Sequence, residues 1–164
     1  MTVLQTICLV AATVTTGSMA GLFTAFSYAV MPGLARSSDR TLVETMKQIN
    51  LVIINPWFLV QFVGSIPLLV LATVLAWLGH GEESLGWIAA ATVLYVVAFV
   101  VTVARNVPLN NRLEAAGDVD AITDLAGVRE RYEGPWVRWN LVRALLHTAA
   151  FGCLVWALVP YAAG

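Results

Sequence analysis

Trp136-Val-Arg-Trp-Asn-Leu-Val-Arg-Ala-Leu-Leu-His147 opens the last long apolar stretch of the chain. On a helix, Trp136, Asn140, Arg143 and His147 fall at i, i+4, i+7 and i+11, so they share one face. Leu141, Leu145, Leu146 and Ala149 cover the other directions. A tryptophan, an amide, a guanidinium and an imidazole therefore enter what reads as hydrocarbon. Ionisable groups are costly there and rarely sit unpaired, so the stripe marks a candidate functional site whose partners other segments must supply.

The composition agrees. Hydrophobic residues make up 59% and charged residues 12%, against roughly 45–50% and about 25% in soluble proteins. Mean hydropathy is +0.80. Four apolar stretches, at about 3–30, 57–78, 85–107 and 136–160, exceed the roughly 20 residues that span a bilayer. Backbone groups in lipid must bond internally, so these stretches are helices. The expected fold is all-α: an integral membrane four-helix antiparallel bundle, one membrane domain over residues 1–164. A short amphipathic cytoplasmic helix is expected in each of the two long loops.

The nine Lys and Arg residues orient it. Arg36, Arg40 and Lys47 lie between spans one and two. Arg105, Arg112, Arg129, Arg131 and Arg138 flank or occupy the segment between spans three and four, with Arg143 just inside span four. The two termini and the 79–86 link carry none. The positive-inside rule then puts both long loops in the cytoplasm and both termini outside the cell membrane. The first span does not read as a secretory signal, because no basic region precedes it and its apolar run continues past Ser18-Met-Ala20.

Along the chain, Gly17 and Gly21 form a G-x-x-x-G pair, read as packing within the bundle or as a homodimer face. Met31-Pro-Gly33 ends span one. Ser38-Asp39 caps a helix with Leu42, Met46, Ile49 and Ile53 on one face and Arg40, Glu44 and Lys47 on another. That pattern suits a helix at the membrane surface in preference to one closing the bundle mouth. Asn55-Pro56-Trp57 begins span two, with Gln61 a turn deeper. Pro108 should break span three. Asn106, Asn110 and Asn111 either bond the backbone groups that break exposes or turn inward to meet Arg143. Asp118 can cap a short helix bearing Ile122, Leu125 and Val128, which Gly134-Pro135 ends. Cys8 and Cys153 read as packing thiols, and no Cys/His cluster for a metal is present. There is no nucleotide-binding loop, and the basic residues are mixed with acids, so nucleic acid is not indicated.

From Trp136, Arg143 lies about 10 Å deeper and His147 about 16 Å deeper. Arg143 can snorkel back to the headgroups or face inward. Asn140 and His147 on either side of it favour inward. His147 can bond a neighbouring helix, ligate haem or a metal, or act as a base. A neutral imidazole suits proton abstraction from a carbon acid or phenol. Arg143, always charged, would stabilise the resulting enolate or phenolate. Asn106, Asn110 and Asn140 could orient oxygen atoms, while Glu44, Asn50 and Asn55 could close the cytoplasmic mouth.

Four segments carry a further signal. Gly21-Leu-Phe-Thr-Ala-Phe-Ser-Tyr-Ala-Val-Met-Pro-Gly-Leu34, the run from Asn50 to Pro56, Arg105-Asn-Val-Pro-Leu-Asn-Asn-Arg-Leu113 and Trp136-x-x-Trp-Asn-x-x-Arg143 together resemble the anthrone oxygenase-like family of small membrane proteins. The resemblance covers nearly the whole chain. It implies four spans and oxidation of polycyclic anthrones to anthraquinones by dioxygen, without an added flavin or metal. The matched positions are Asn106, Pro108, Asn110, Trp136, Asn140 and Arg143; the role of His147 rests on the helical face alone. The reading is therefore a membrane-embedded, cofactor-independent monooxygenase for a lipophilic aromatic or phenolic small molecule. His147 and Arg143 would be catalytic, and Asn106, Asn110, Asn140, Trp136, Trp139, Asn55, Gln61 and Glu44 would bind substrate. The alternative is a non-catalytic membrane module that binds a lipid, quinone or haem, or serves as a structural partner, possibly as a homo-oligomer.

Overall fold

Residues 57–78 contain no charged side chain, so this stretch has no face suited to water. Its stable form is a helix that closes every backbone hydrogen bond on itself. The computed structural model of the protein describes residues 3–80 and 82–162. It contains α1 (Val3–Leu34), α2 (Asp39–Val52), α3 (Pro56–Gly79), α4 (Glu83–Glu114) and α5 (Leu125–Ala162). α1, α3, α4 and α5 are long and apolar enough to cross a membrane, so this is a multi-pass membrane protein and a helical bundle.

α1 packs on α3 and α5, and α4 packs on the same two, which closes a four-helix square. Side chains fix the directions. Ser84, at the start of α4, donates to the carbonyl of Ala157 near the end of α5, at 2.8 Å. Asn106, toward the other end of α4, donates to the carbonyl of Trp136 at 3.3 Å. Thr73 and Thr92 meet at 2.9 Å between α3 and α4, and Ser65 donates to Thr15 at 2.7 Å between α3 and α1. Neighbours therefore run antiparallel. Leu9, Leu69, Tyr95 and Leu154 are fully buried between them.

The helices run further than the prolines suggest. A π-helical turn at Phe26–Val30 precedes Pro32, and another at Thr102–Asn106 precedes Pro108. Each proline then sits in the first turn of resumed α-helix, where its missing N–H leaves no ladder bond broken. So Met31-Pro-Gly33 does form the last turn of span one, which stops at Leu34, whereas Pro108 does not end span three, which runs on to Glu114. Gly134-Pro135 does not end a helix either, and the second long loop holds only a 3₁₀ turn at Val119–Ala121, capped by Asp118. Of the residues expected to form a separate second-loop helix, Leu125 and Val128 belong to the first turns of α5, and Ile122 lies ahead of it. Leu125, Val128, Tyr132 and Trp136 share one face, and packing of that face on α2 and α4 carries the helix through. Gly134 and Pro135 are on the exposed side, where the carbonyl that lost its donor meets water.

α2 is a plug, not a surface helix. Ser38 caps it by accepting from the Thr41 N–H. Leu42, Val43 and Met46 are fully buried against Phe26, Met31, Leu109, Leu113, Tyr132 and Trp136 at the long-loop end of the bundle. Lys47, expected on the solvent face, is 8% exposed. Its ammonium donates to the carbonyls of Glu114 (3.2 Å) and Gly117 (2.6 Å) and so ties α2 to the end of α4. Cys8 and Cys153 are both free thiols.

The two glycines of the G-x-x-x-G pair differ. A Cβ on Gly17 would lie 2.8 Å from the Phe151 ring, whereas Gly21 has open space around it. Gly17 is thus the close-approach point between α1 and α5. Gly17→Leu should lower stability by about 1–3 kcal/mol through overpacking, and Gly21→Leu should change it little. Unfolding titrations in mixed micelles check this. Equal stability of the two variants would remove the assigned contact.

Candidate functional site

The stripe on α5 faces inward along its whole length: Trp136, Asn140, Arg143 and His147 are all buried. Arg143 is 7% exposed and reaches no headgroup layer by snorkelling. Its Nε and Nη2 both donate to Asn140 Oδ1, at 3.0 and 2.9 Å. The guanidinium carbon stands 4.1 Å from the Phe23 ring centre and 5.3 Å from that of Trp136. Among the described residues no carboxylate pairs with it. A guanidinium has five N–H donors, and Asn140 takes only part of them. The site therefore holds a buried positive charge with donor capacity to spare.

Asn140 is held by α1. Its Nδ2 donates to the Phe23 carbonyl (3.0 Å) and to Ser27 Oγ (2.8 Å), which turns its oxygen toward Arg143. Below it, His147 is fully buried. Its Nδ1 is 2.7 Å from the Arg143 carbonyl, which can only accept, so Nδ1 carries the proton. Nε2 is then an unprotonated lone pair, buried without a hydrogen-bond partner. The rings of Tyr95 (4.7 Å between centres), Phe23 (4.9 Å) and Phe62 (6.3 Å) surround it. A base and a cation thus sit one helical turn apart inside an aromatic cage drawn from α1, α3 and α4.

Above the stripe lies a polar lid. Asn110 Oδ1 accepts from Trp136 Nε1 at 2.8 Å and from the Tyr132 hydroxyl at 3.2 Å. Asn106 is fully buried, with Oδ1 unpartnered. These two asparagines turn inward, but they meet Trp136 and Tyr132, with no bond to Arg143. Asn111 stays exposed.

Other expected site residues lie elsewhere. Asn55 caps α3, accepting from the Phe58 N–H and donating to the Val52 carbonyl. Gln61 donates to the Trp57 carbonyl of its own helix. Glu44 is exposed and 4.0 Å from Arg40. Trp139 is half-buried beneath Arg105, whose guanidinium is 4.9 Å from its ring. Asn50 is half-buried, with an unpartnered amide nitrogen. Phe23, Ser27, Phe62, Tyr95 and Tyr132 were not anticipated. Phe23 and Ser27 lie at i, i+4, the one periodic hint available before the helices are docked.

A four-span bundle that buries an arginine, an amide and an imidazole on one helix, walled by aromatic rings, defines a class of small membrane protein with a polar internal site. This chain belongs to the anthrone oxygenase family: the family model matches residues 57–153, more than half of the 164. No curated protein and no solved structure gives a significant match.

The hydrogen bonds make Asn140 the neutral acceptor that keeps Arg143 buried. Asn140→Leu should cost about 2–4 kcal/mol, since bonds to a charged group are each worth roughly 1.5–3 kcal/mol. Adding Arg143→Met should restore most of that loss, because the stranded charge is gone. A double-variant cycle in an unfolding titration measures both. Additive effects would show that the two side chains act apart.

Proposed function

We propose that the protein is a cofactor-independent oxygenase that deprotonates a lipophilic aromatic carbon acid and lets the resulting enolate react with dioxygen. The observation that carries this is the pairing of a bare, buried imidazole nitrogen with a buried guanidinium that has no counter-ion. His147 Nε2 takes a proton from a ring CH2 activated by a conjugated carbonyl. The carbonyl oxygen becomes an enolate and supplies the anion that Arg143 lacks. At about 4 Å and an effective dielectric of about 20, that attraction is about 4 kcal/mol. This strengthens the acid about a thousandfold. The gap between a carbon acid as weak as a phenol and an imidazole base narrows by the same factor.

The enolate carbon reduces dioxygen and forms a C–O bond, giving a hydroperoxide. Loss of the second C–H proton with O–O cleavage yields the ketone and water. Per turnover, one CH2 and one O2 become one C=O and one H2O. Asn106 Oδ1 and Asn110 are positioned to bind polar groups at the upper end of the ligand. Aromatic rings fill the space beside His147, so binding requires Phe23 or Phe62 to rotate away. Family membership supports an oxygenase-like role; the anthrone-type substrate is our reading. The arginine-rich loops support a cell-membrane orientation with both long loops cytoplasmic and both termini outside.

Purified protein in nanodiscs, supplied with an anthrone, should consume one O2 per quinone formed. Arg143→Met and His147→Phe should each slow quinone formation at least about tenfold, since acid–base catalysis contributes roughly 100-fold or more. Unchanged rates in both variants would remove the assigned roles. A second reading, an inert haem-binding module, draws on the Nδ1–H bond to a carbonyl, an arrangement common among metal-bound histidines. Among the described residues no cluster of three His, Cys, Asp or Glu could hold a metal ion. A Soret band in the purified protein, abolished by His147→Phe, would favour this second reading.

Orientation has its own test. Glu83 and Arg36 are exposed at opposite ends of the bundle. In whole cells, an impermeant maleimide should label Glu83→Cys and leave Arg36→Cys unlabelled. The reverse pattern would invert the topology.

A further inference from the structure

The long-loop end carries a cleft that the proposed chemistry does not use. It has a volume of about 480 Å³ and lies between the last turns of α4 and the first turns of α5. Leu109, Leu113, Val128 and Tyr132 form its floor, and Arg112 and Arg131 line it. Both arginines are exposed, and among the described residues neither pairs with a carboxylate. Among the described residues, Arg36, Arg105 and Arg138 at this end also make no ion pair, but Arg112 and Arg131 are the two that line an apolar cleft, while three further cations are matched. Arg40 pairs with Asp120 and Glu44, Lys47 with Glu114, and Arg129 with Asp39 and Glu133. Two unmatched guanidiniums over an apolar floor complement an amphiphilic anion, not a simple salt ion.

The height of the cleft identifies the source of that anion. Arg105 over Trp139 marks the membrane–water boundary, where tryptophan is favoured. Arg112 stands about 10 Å further out along α4, and Arg131 about 12 Å further out than Trp139 along α5. Their long side chains reach back across a headgroup layer roughly 5–8 Å thick. We infer that the cleft binds an anionic phospholipid of the adjacent leaflet. Its phosphodiester sits between Arg112 and Arg131, which can each donate two parallel N–H bonds to it. The first methylenes of an acyl chain lie on Leu109, on the bilayer side of the two arginines. This site is independent of the chemistry proposed for His147 and Arg143.

Native mass spectrometry of the full chain tests it, with protein released from bilayers of equal phosphatidylglycerol and phosphatidylcholine. The parent protein should retain the anionic lipid at least about tenfold over the zwitterionic one. Arg112→Gln/Arg131→Gln should abolish that preference. Ala116→Trp should also abolish it, because the indole fills the cleft while every charge is kept. Arg36→Gln, an exposed arginine at the same end outside the cleft, should preserve it. If the double variant does not fold, Ala116→Trp and the single Arg112→Gln carry the test, each checked by its thermal midpoint. Equal retention of both lipids would overturn the inference, as would an equal loss in Arg36→Gln. Displacement of the lipid by excess inorganic phosphate would also overturn it, by pointing to a soluble phosphate ligand.

Discussion

A guanidinium buried among rings with an amide for its main partner is the constraint that the rest of this bundle answers. Stripping a charge of water costs several kcal/mol even after relaxation. A carboxylate beside Arg143 would offset that cost and leave a neutral, inert pair. Asn140 satisfies the donors without cancelling the charge. Its own orientation comes from the Phe23 carbonyl and Ser27 on α1, so the placement of the cation depends on two helices being docked in register. The faces of Phe23 and Trp136 add quadrupole attraction and exclude water. The charge thus stays inside the bundle with no carboxylate paired to it among the described residues.

The long-loop end keeps that interior closed. α2 seats Leu42, Val43 and Met46 over the bundle mouth, and Lys47 holds it there through backbone carbonyls of the α4 terminus. Beneath it, Asn110 joins Tyr132 and Trp136 in one layer. Arg129 bonds the carbonyls of Ala35 and Ser37 as well as Asp39, which ties the first loop to α5. Both ordered loops therefore serve the same purpose: they exclude water from a site where low polarity makes each electrostatic contact stronger.

The four spans were legible because runs of that length and hydropathy have few alternatives. The inward face of α5 was legible because Asn140 and His147 flank Arg143 on the same face, and His147 lies too deep to reach the headgroups. The helix ends were not. Pro108 read as a break, and a π-turn ahead of it relocates the missing donor harmlessly. Gly134-Pro135 misled in the same way. The signal that could have corrected it was phase: Leu125, Val128 and Tyr132 lie in step with Trp136, Asn140, Arg143 and His147 across the proline. Asn55 and Gln61 were assigned to the site by residue type, whereas short-range bonds to their own helices satisfy them. Lys47 misled because helical periodicity cannot reveal two carbonyls supplied by a distant helix end. The aromatic cage was invisible for a related reason. Phe and Tyr are ordinary in a membrane core, and only docking of α1, α3 and α4 turns them toward His147.

Chemistry and shape are divided between the helices. The imidazole and the guanidinium both belong to α5, and the Nδ1–H bond runs from one to the backbone of the other, so their separation is set by a single helical turn. No tilt of a neighbouring helix can pull them apart. The walls of the cage come from three other helices, and the α1 wall, Phe23, also stacks on the guanidinium. The family match covers α5 through residue 153 together with Phe62, Tyr95 and the α4 asparagines, and leaves out Phe23 and Ser27 on α1. The imidazole and the guanidinium move together, and the rings around them do not move with them.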